Sequence, residues 1–172
     1  MKENYMLDDG CYLAVKIIVE MVRLRAAGEE RGIAALLDGL AEPLAAHEFR
    51  LPFTDAADFG AQGVALLDAF PAFVDATPGW TVEEPNYEGV RVSVDEGDGR
   101  TGWLLLRQSL HDPLLPLNIE TEAPGGVVAT LRTLRDGFLA AYPNVDTASL
   151  DAYEAAHRGE APVAAPSAAA GA

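Results

Sequence analysis

Apolar residues recur at helical spacing between positions 10 and 27, with Leu13, Ile17, Met21 and Leu24 along one side and Ala14, Ile18 and Val22 beside them. This pattern predicts a helix that Asp8 or Asp9 caps and Gly28 ends. Lys16, Glu20 and Arg23 form its solvated stripe at favourable i,i+3 and i,i+4 spacings. A second short helix is expected over 32–40.

From residue 46 the period changes to alternation, and His47-Glu48-Phe49-Arg50-Leu51-Pro52-Phe53 reads as a strand with Phe49, Leu51 and Phe53 on one face. A helix fits 56–77, with Phe59, Val64, Leu67, Phe70 and Val74 as candidate core residues and Pro71 as a point of kinking or splitting. Four strands follow, over 80–83, 89–94, 102–107 and 115–120. Pro124-Gly125-Gly126 introduces a last helix over 127–142, ending before Pro143. The order strand, helix, four strands, helix implies an α+β domain: an antiparallel sheet with helices on one face, not a parallel nucleotide-binding sheet.

Three regions result. Residues 1–42 form a helical segment, 43–145 the sheet domain, and 146–172 a mostly disordered tail with a candidate short helix over 149–157. The stretch 159–172 is dominated by Ala, Pro, Gly and Ser and buries too little apolar area to offset ordering entropy.

Composition narrows the function classes. A net charge of −15 over 172 residues argues against nucleic-acid and anionic-membrane partners, which need a basic footprint. The apolar stretch 11–27 carries Lys16, Glu20, Arg23 and Arg25, which excludes an ordinary membrane span. The opening decapeptide has no apolar h-region, so no secretory leader is expected. Cys11, the single cysteine, excludes an internal disulfide and fits a reducing cytoplasm, where it is expected to be a buried packing thiol.

The candidate chemistry lies at 107–113, Arg-Gln-Ser-Leu-His-Asp-Pro, where an apolar strand breaks into a polar loop. The Arg107 guanidinium is a planar fork that matches phosphate oxygens, the Ser109 hydroxyl is a rotatable donor, and loop N–H groups can converge on the same anion. The competing reading has Arg107 pair with a surface carboxylate while Ser109 supports a turn. His47 and His157 have no second ligand at metal spacing. Arg91 is expected to form a salt bridge across the sheet or to add positive potential near a phosphate, and Trp80 and Trp103 read as core aromatics at strand starts.

The run Trp-Leu-Leu-Leu-Arg-Gln-Ser-Leu-His-Asp-Pro-Leu-Leu-Pro-Leu-Asn-Ile-Glu, 103–120, resembles the C-terminal phosphate-binding loop of the α-D-phosphohexomutases, the phosphomannomutases and phosphoglucomutases. The family pattern is R-x-S-[GN]-T-E-P followed by a strand. Arg107, Ser109 and Pro113 match it, Asp112 replaces the glutamate, Leu110 the small residue and His111 the threonine. Glu88-Gly89-Val90-Arg91-Val92 is similar to the D-G-[VI]-[RK] strand that precedes this hairpin, and Leu7-Asp8-Asp9-Gly10 with its helix to the close of the family's third domain.

The resemblance implies a C-terminal fragment: the end of domain three, then domain four, with a TATA-box-binding-protein-like sheet and a hinge near 42–46. It implies a phosphate clamp of Arg107, Ser109 and His111 that holds the non-transferring phosphate of a hexose phosphate. The remaining domains of the parent enzyme would be its partners.

Family members keep their nucleophile in T-A-S-H-N-P, their Mg²⁺ ligands in D-G-D-G-D-R and their sugar contacts in G-E-x-S-G-H, and none of these occurs here. No catalytic residue and no metal ligand are therefore expected in this chain, which alone should not turn over substrate; Mg²⁺ belongs to the full-length enzyme. The stretch 95–100, Asp-Glu-Gly-Asp-Gly-Arg, has the wrong register for the metal loop and is expected to be a hairpin turn. The alternative function is a stand-alone protein-interaction module without catalytic activity.

Overall fold

A computed structural model describes residues 9–159. The chain divides into two compact units, Met1–Glu42 and Pro43–Ala172.

In the first unit α1 spans Gly10–Ala26. Asp9 caps it, its Oδ1 accepting the N–H groups of Cys11 at 2.9 Å and Tyr12 at 3.1 Å. Gly28, at φ +88°, lets the chain leave the helix where an L side chain would be strained. The segment expected to form a helix over 32–40 is a 3-10 helix, Gly32–Leu37, held by Arg31, which pairs with both Glu29 and Asp38. Neither element buries a residue, and Leu13, Ile18 and Val22 are each more than half exposed. Cys11 is exposed too, contrary to its expected packing role, because no described residue covers that side of α1. No helix among the described residues is long and apolar enough to cross a membrane.

The second unit is α+β. Its strands are β1 (Ala45–Pro52), β2 (Trp80–Val82), β3 (Val90–Gly97), β4 (Arg100–Leu106) and β5 (Leu114–Thr121). They form one antiparallel sheet in the order β1-β5-β4-β3-β2. Strands β2 to β5 run as a meander, and β1 closes the far edge by pairing with β5, Phe49 opposite Leu117 and Leu51 opposite Leu115. One face is apolar and closed: Val92 lies opposite Leu104, Leu104 opposite Ile119 and Leu106 opposite Leu117, all essentially without exposure. The period of two puts Arg91, Ser93, Trp103 and Asn118 on the other face.

Two helices cover the apolar face. In α2 (Phe59–Asp75) the buried line is Gly63, Leu66, Phe70 and Val74, and Pro71 sits within the helix without splitting it. Val64, expected in the core, is 54% exposed, because one residue is a 100° turn and Leu66 takes the inward position. Helix α3 (Gly126–Gly137) buries Val127, Leu131 and Leu134 and stops short of the expected 142. A Cβ at Gly137 would stand 2.9 Å from the Phe73 ring of α2, and beyond Gly137 the chain tightens into a 3-10 turn, Leu139–Ala141.

The short helix expected over 149–157 is α4 (Ala148–Ala156). Leu150 is fully buried and Tyr153 stacks its edge on Phe49, with ring centroids 5.3 Å apart. Residues 160–172, the rest of the tail expected to be mostly disordered, lie outside the described residues.

The stretch 95–100 is a hairpin, made of the end of β3, a two-residue turn and the first residue of β4. Asp98 and Gly99, at φ 54° and 75°, are its two central residues, as a type I′ turn requires, and a bulge lies between Asp95 and Gly97.

Candidate phosphate-binding site

β4 ends at Leu106, and the chain keeps running beside β5 for three more residues before it turns. The Arg107 N–H donates to the Pro116 carbonyl and the Ser109 N–H to the Leu114 carbonyl, both at 3.1 Å. Residues 110–113 reverse the chain, and the Pro113 carbonyl accepts the Phe53 N–H at 2.8 Å, tying the loop to the end of β1. The base of the loop is thus sheet and its tip is Leu110, 87% exposed.

The turn is organised by Ser109. Its Oγ accepts the N–H of Asp112 at 3.1 Å and, more weakly, that of His111 at 3.4 Å. The expected convergence of loop N–H groups therefore exists, but on the serine oxygen, and two further amides are held by β5. A hydroxyl oxygen that accepts two N–H groups has its own proton left to give, which suits it to an anionic acceptor. Among the described residues Asp58 and Asp98 are the non-glycines at positive φ, so the leucine and histidine at 110 and 111 carry no left-handed strain. His111 is exposed beside the turn.

Arg107 is half-buried, and its guanidinium has no hydrogen-bond, ion-pair or ring partner among the described residues. Of the competing reading, the turn supported by Ser109 is present, while no described carboxylate pairs with Arg107. The contrast is sharp in so acidic a chain: Arg23, Arg31, Arg50, Arg100, Arg132 and Arg135 each pair with a carboxylate within 4 Å.

The position of Arg107 is fixed by its neighbour strand. Gly89, at φ +111°, lies flat against it: a Cβ there would be 2.8 Å from the Arg107 Cα and 2.6 Å from its Cβ. Asn86 orders the loop leading to Gly89, accepting the Arg91 N–H at 2.8 Å on Oδ1 and donating from Nδ2 to the Glu83 carbonyl. The sequence singles out Gly89 by motif alone; a glycine at a strand start signals such close backbone approach.

Other candidates resolve into structural roles. Arg91 forms no salt bridge but stacks on Trp103, its guanidinium carbon 4.0 Å from the ring centroid, and the Trp103 indole N–H donates to Glu120 at 2.9 Å. Trp103 is therefore half-buried on the face of the sheet away from α2 and α3, not in the core, whereas Trp80 is buried against Phe73. His47 and His157 flank the Tyr153 ring at 4.6 Å and 3.9 Å.

The residues present do not fit a Mg²⁺ site. Glu96 turns inward, Asp95 Oδ1 accepts the Gly97 N–H, and Asp98 faces Arg100 at 3.8 Å. Among the described residues no three carboxylate, histidine or cysteine groups are disposed to hold a metal ion. No protein-family model matches the chain, and no curated protein matches it.

Proposed function

We propose that residues 43–159 are the phosphate-clamping domain of a phosphohexomutase, an intramolecular phosphotransferase acting on hexose phosphates. The unpartnered Arg107 guanidinium, held in place at the end of β4, is the observation that carries this reading. A half-buried arginine with no carboxylate beside it among the described residues, in a chain of net charge −15, offers its planar fork of donors to an anion's oxygens. Ser109, whose hydroxyl proton has no acceptor among the described residues, and the exposed His111 supply the further donors.

In the proposed enzyme this clamp holds the non-transferring phosphate. Fixing one end of the sugar orients the opposite oxygen toward a phosphoserine supplied by the rest of the protein. Positioning of that kind is the main catalytic resource in phosphoryl transfer. Mg²⁺ would neutralise charge on the transferring phosphoryl group and would be held by those other domains. A hinge near 42–46 would let the clamp release a turned intermediate, in the cytoplasm where hexose phosphates occur.

The test is an NMR titration with inorganic phosphate and with a hexose 6-phosphate. Amide shifts confined to 107–113 and to the adjoining Gly89 are expected, and Arg107→Ala should abolish them. Shifts that lie elsewhere, or that survive Arg107→Ala, would remove the clamp assignment.

One observation favours a second reading, a protein-interaction module without catalysis: α1 exposes Val15, Ile18 and Val22 on one side. Concentration-dependent self-association abolished by Ile18→Lys, with no phosphate response, would favour it.

A further inference from the structure

Gln108 stands between Arg107 and Ser109, and in an extended segment its side chain points to the opposite side from theirs. That side meets the first turns of α2. The Gln108 Nε2 donates to the Phe59 carbonyl at 3.4 Å, and its carboxamide lies across Gly63 and Gly60. A Cβ at Gly63 would stand 2.6 Å from both Cδ and Oε1 of Gln108 and 3.0 Å from its Cγ; one at Gly60 would be 3.8 Å from Nε2.

Glycine inside a helix is destabilising relative to alanine, so two glycines at i,i+3 on one helix face need a reason. At Gly63 the reason is space: its missing Cβ leaves the room that the Gln108 carboxamide occupies, while a Cβ at Gly60 would make only ordinary contact at the rim of this notch.

We infer that Gln108 is the positioning residue of the phosphate loop, a key seated in the Gly60–Gly63 notch of α2 that holds Arg107 and Ser109 facing away from the helix. The inference rests on the clamp reading for its purpose, while its geometry stands apart from that reading. Withdrawing the key leaves the loop attached through β5 but free to twist, so the anion-facing groups lose their common aim.

The test combines two readouts on the full chain. The first is backbone ¹⁵N relaxation of residues 107–113 without ligand. Gln108→Ala should raise the mobility of these amides while those of β3 and β5 stay rigid, and Gln108→Met, which refills the notch, should restore most of the order. The second is inorganic phosphate affinity, which should fall roughly tenfold in Gln108→Ala and recover in Gln108→Met.

Gly63→Ala should expel the side chain and mobilise the loop on its own. In the Gln108→Ala background the same change should leave the loop unaltered and raise the melting temperature, because the notch is then empty. Unchanged loop order in both Gln108→Ala and Gly63→Ala, or additive effects in the double variant, would overturn the inference. If the wild-type chain binds no phosphate, the clamp reading fails, and the relaxation arm still decides whether Gln108 is the key.

Discussion

Glu96 carries the most consequential interaction of a single side chain outside the loop. Its carboxylate is 5% exposed, the one charged residue buried among those described, and accepts the Glu122 N–H at 2.9 Å, the Ala123 N–H at 3.0 Å and the Thr121 hydroxyl. These are the groups that turn the chain from β5 toward α3. Gly102 and Gly126 leave the room, since a Cβ on Gly102 would stand 2.7 Å from Glu96 Oε1 and one on Gly126 would overlap the Thr121 hydroxyl. Glu96→Ala should therefore destabilise by about 1–3 kcal/mol, as read from the urea midpoint, because the Glu122 N–H loses its acceptor while the Ala123 N–H keeps the Thr121 Oγ. The alternation Val90, Val92, Val94 points to this: carried one step further it places Glu96 on the core face. Reading 95–100 as a loop hid that continuation. Arg107 teaches the converse, for its residue type suggested phosphate while its lack of a partner among the described residues is visible only in the folded chain.

At the scale of elements, α4 is fastened by charge as well as by Leu150. Arg135 of α3 reaches Glu154 at 2.6 Å and Asp151 at 2.7 Å, and Arg132 reaches Glu154 at 2.8 Å. The hydrogen bond from Arg135 holds the Glu154 carboxyl below its ordinary 4.5 and the Asp136 carboxyl below its ordinary 3.8. A carboxyl lowered in the folded state contributes stability above its unfolded value and loses it as pH falls through the folded one. The fastening of α4 should thus be complete above about pH 4.5 and weaken on further acidification, seen as faster amide exchange in 148–156 before the sheet responds. Arg135→Gln should bring the same loosening at neutral pH and flatten its pH dependence. Exposed pairs are screened, so 1 M salt should reproduce part of the effect. The pattern over 149–157 was legible as a helix, but its ordering was not. Tyr153 packs on Phe49 of β1, far away in sequence, and Glu154 finds its two arginines on α3.

At the scale of the molecule, all the residues of the core cluster lie between Phe49 and Leu150, and the first unit buries none. A chain trimmed to 43–159 should accordingly unfold cooperatively at the same midpoint as the whole protein, with only the helical signal of α1 lost, as calorimetry and circular dichroism together would report. A midpoint well below that of the full chain would mean that 1–42 stabilises the sheet.

What the sequence determined by itself was the succession of elements, because helical and strand periods, turn glycines and caps are local properties read within a dozen residues. It also determined that the sheet has one apolar face, hence the α+β class. Only tertiary structure decided which phase of α2 faces inward, that Arg107 stands without a counter-charge, that Gln108 lies over Gly63, and that Glu96 caps the β5–α3 turn. Each of these joins residues about twenty to fifty positions apart, or depends on a partner being absent, and a local pattern carries neither kind of information.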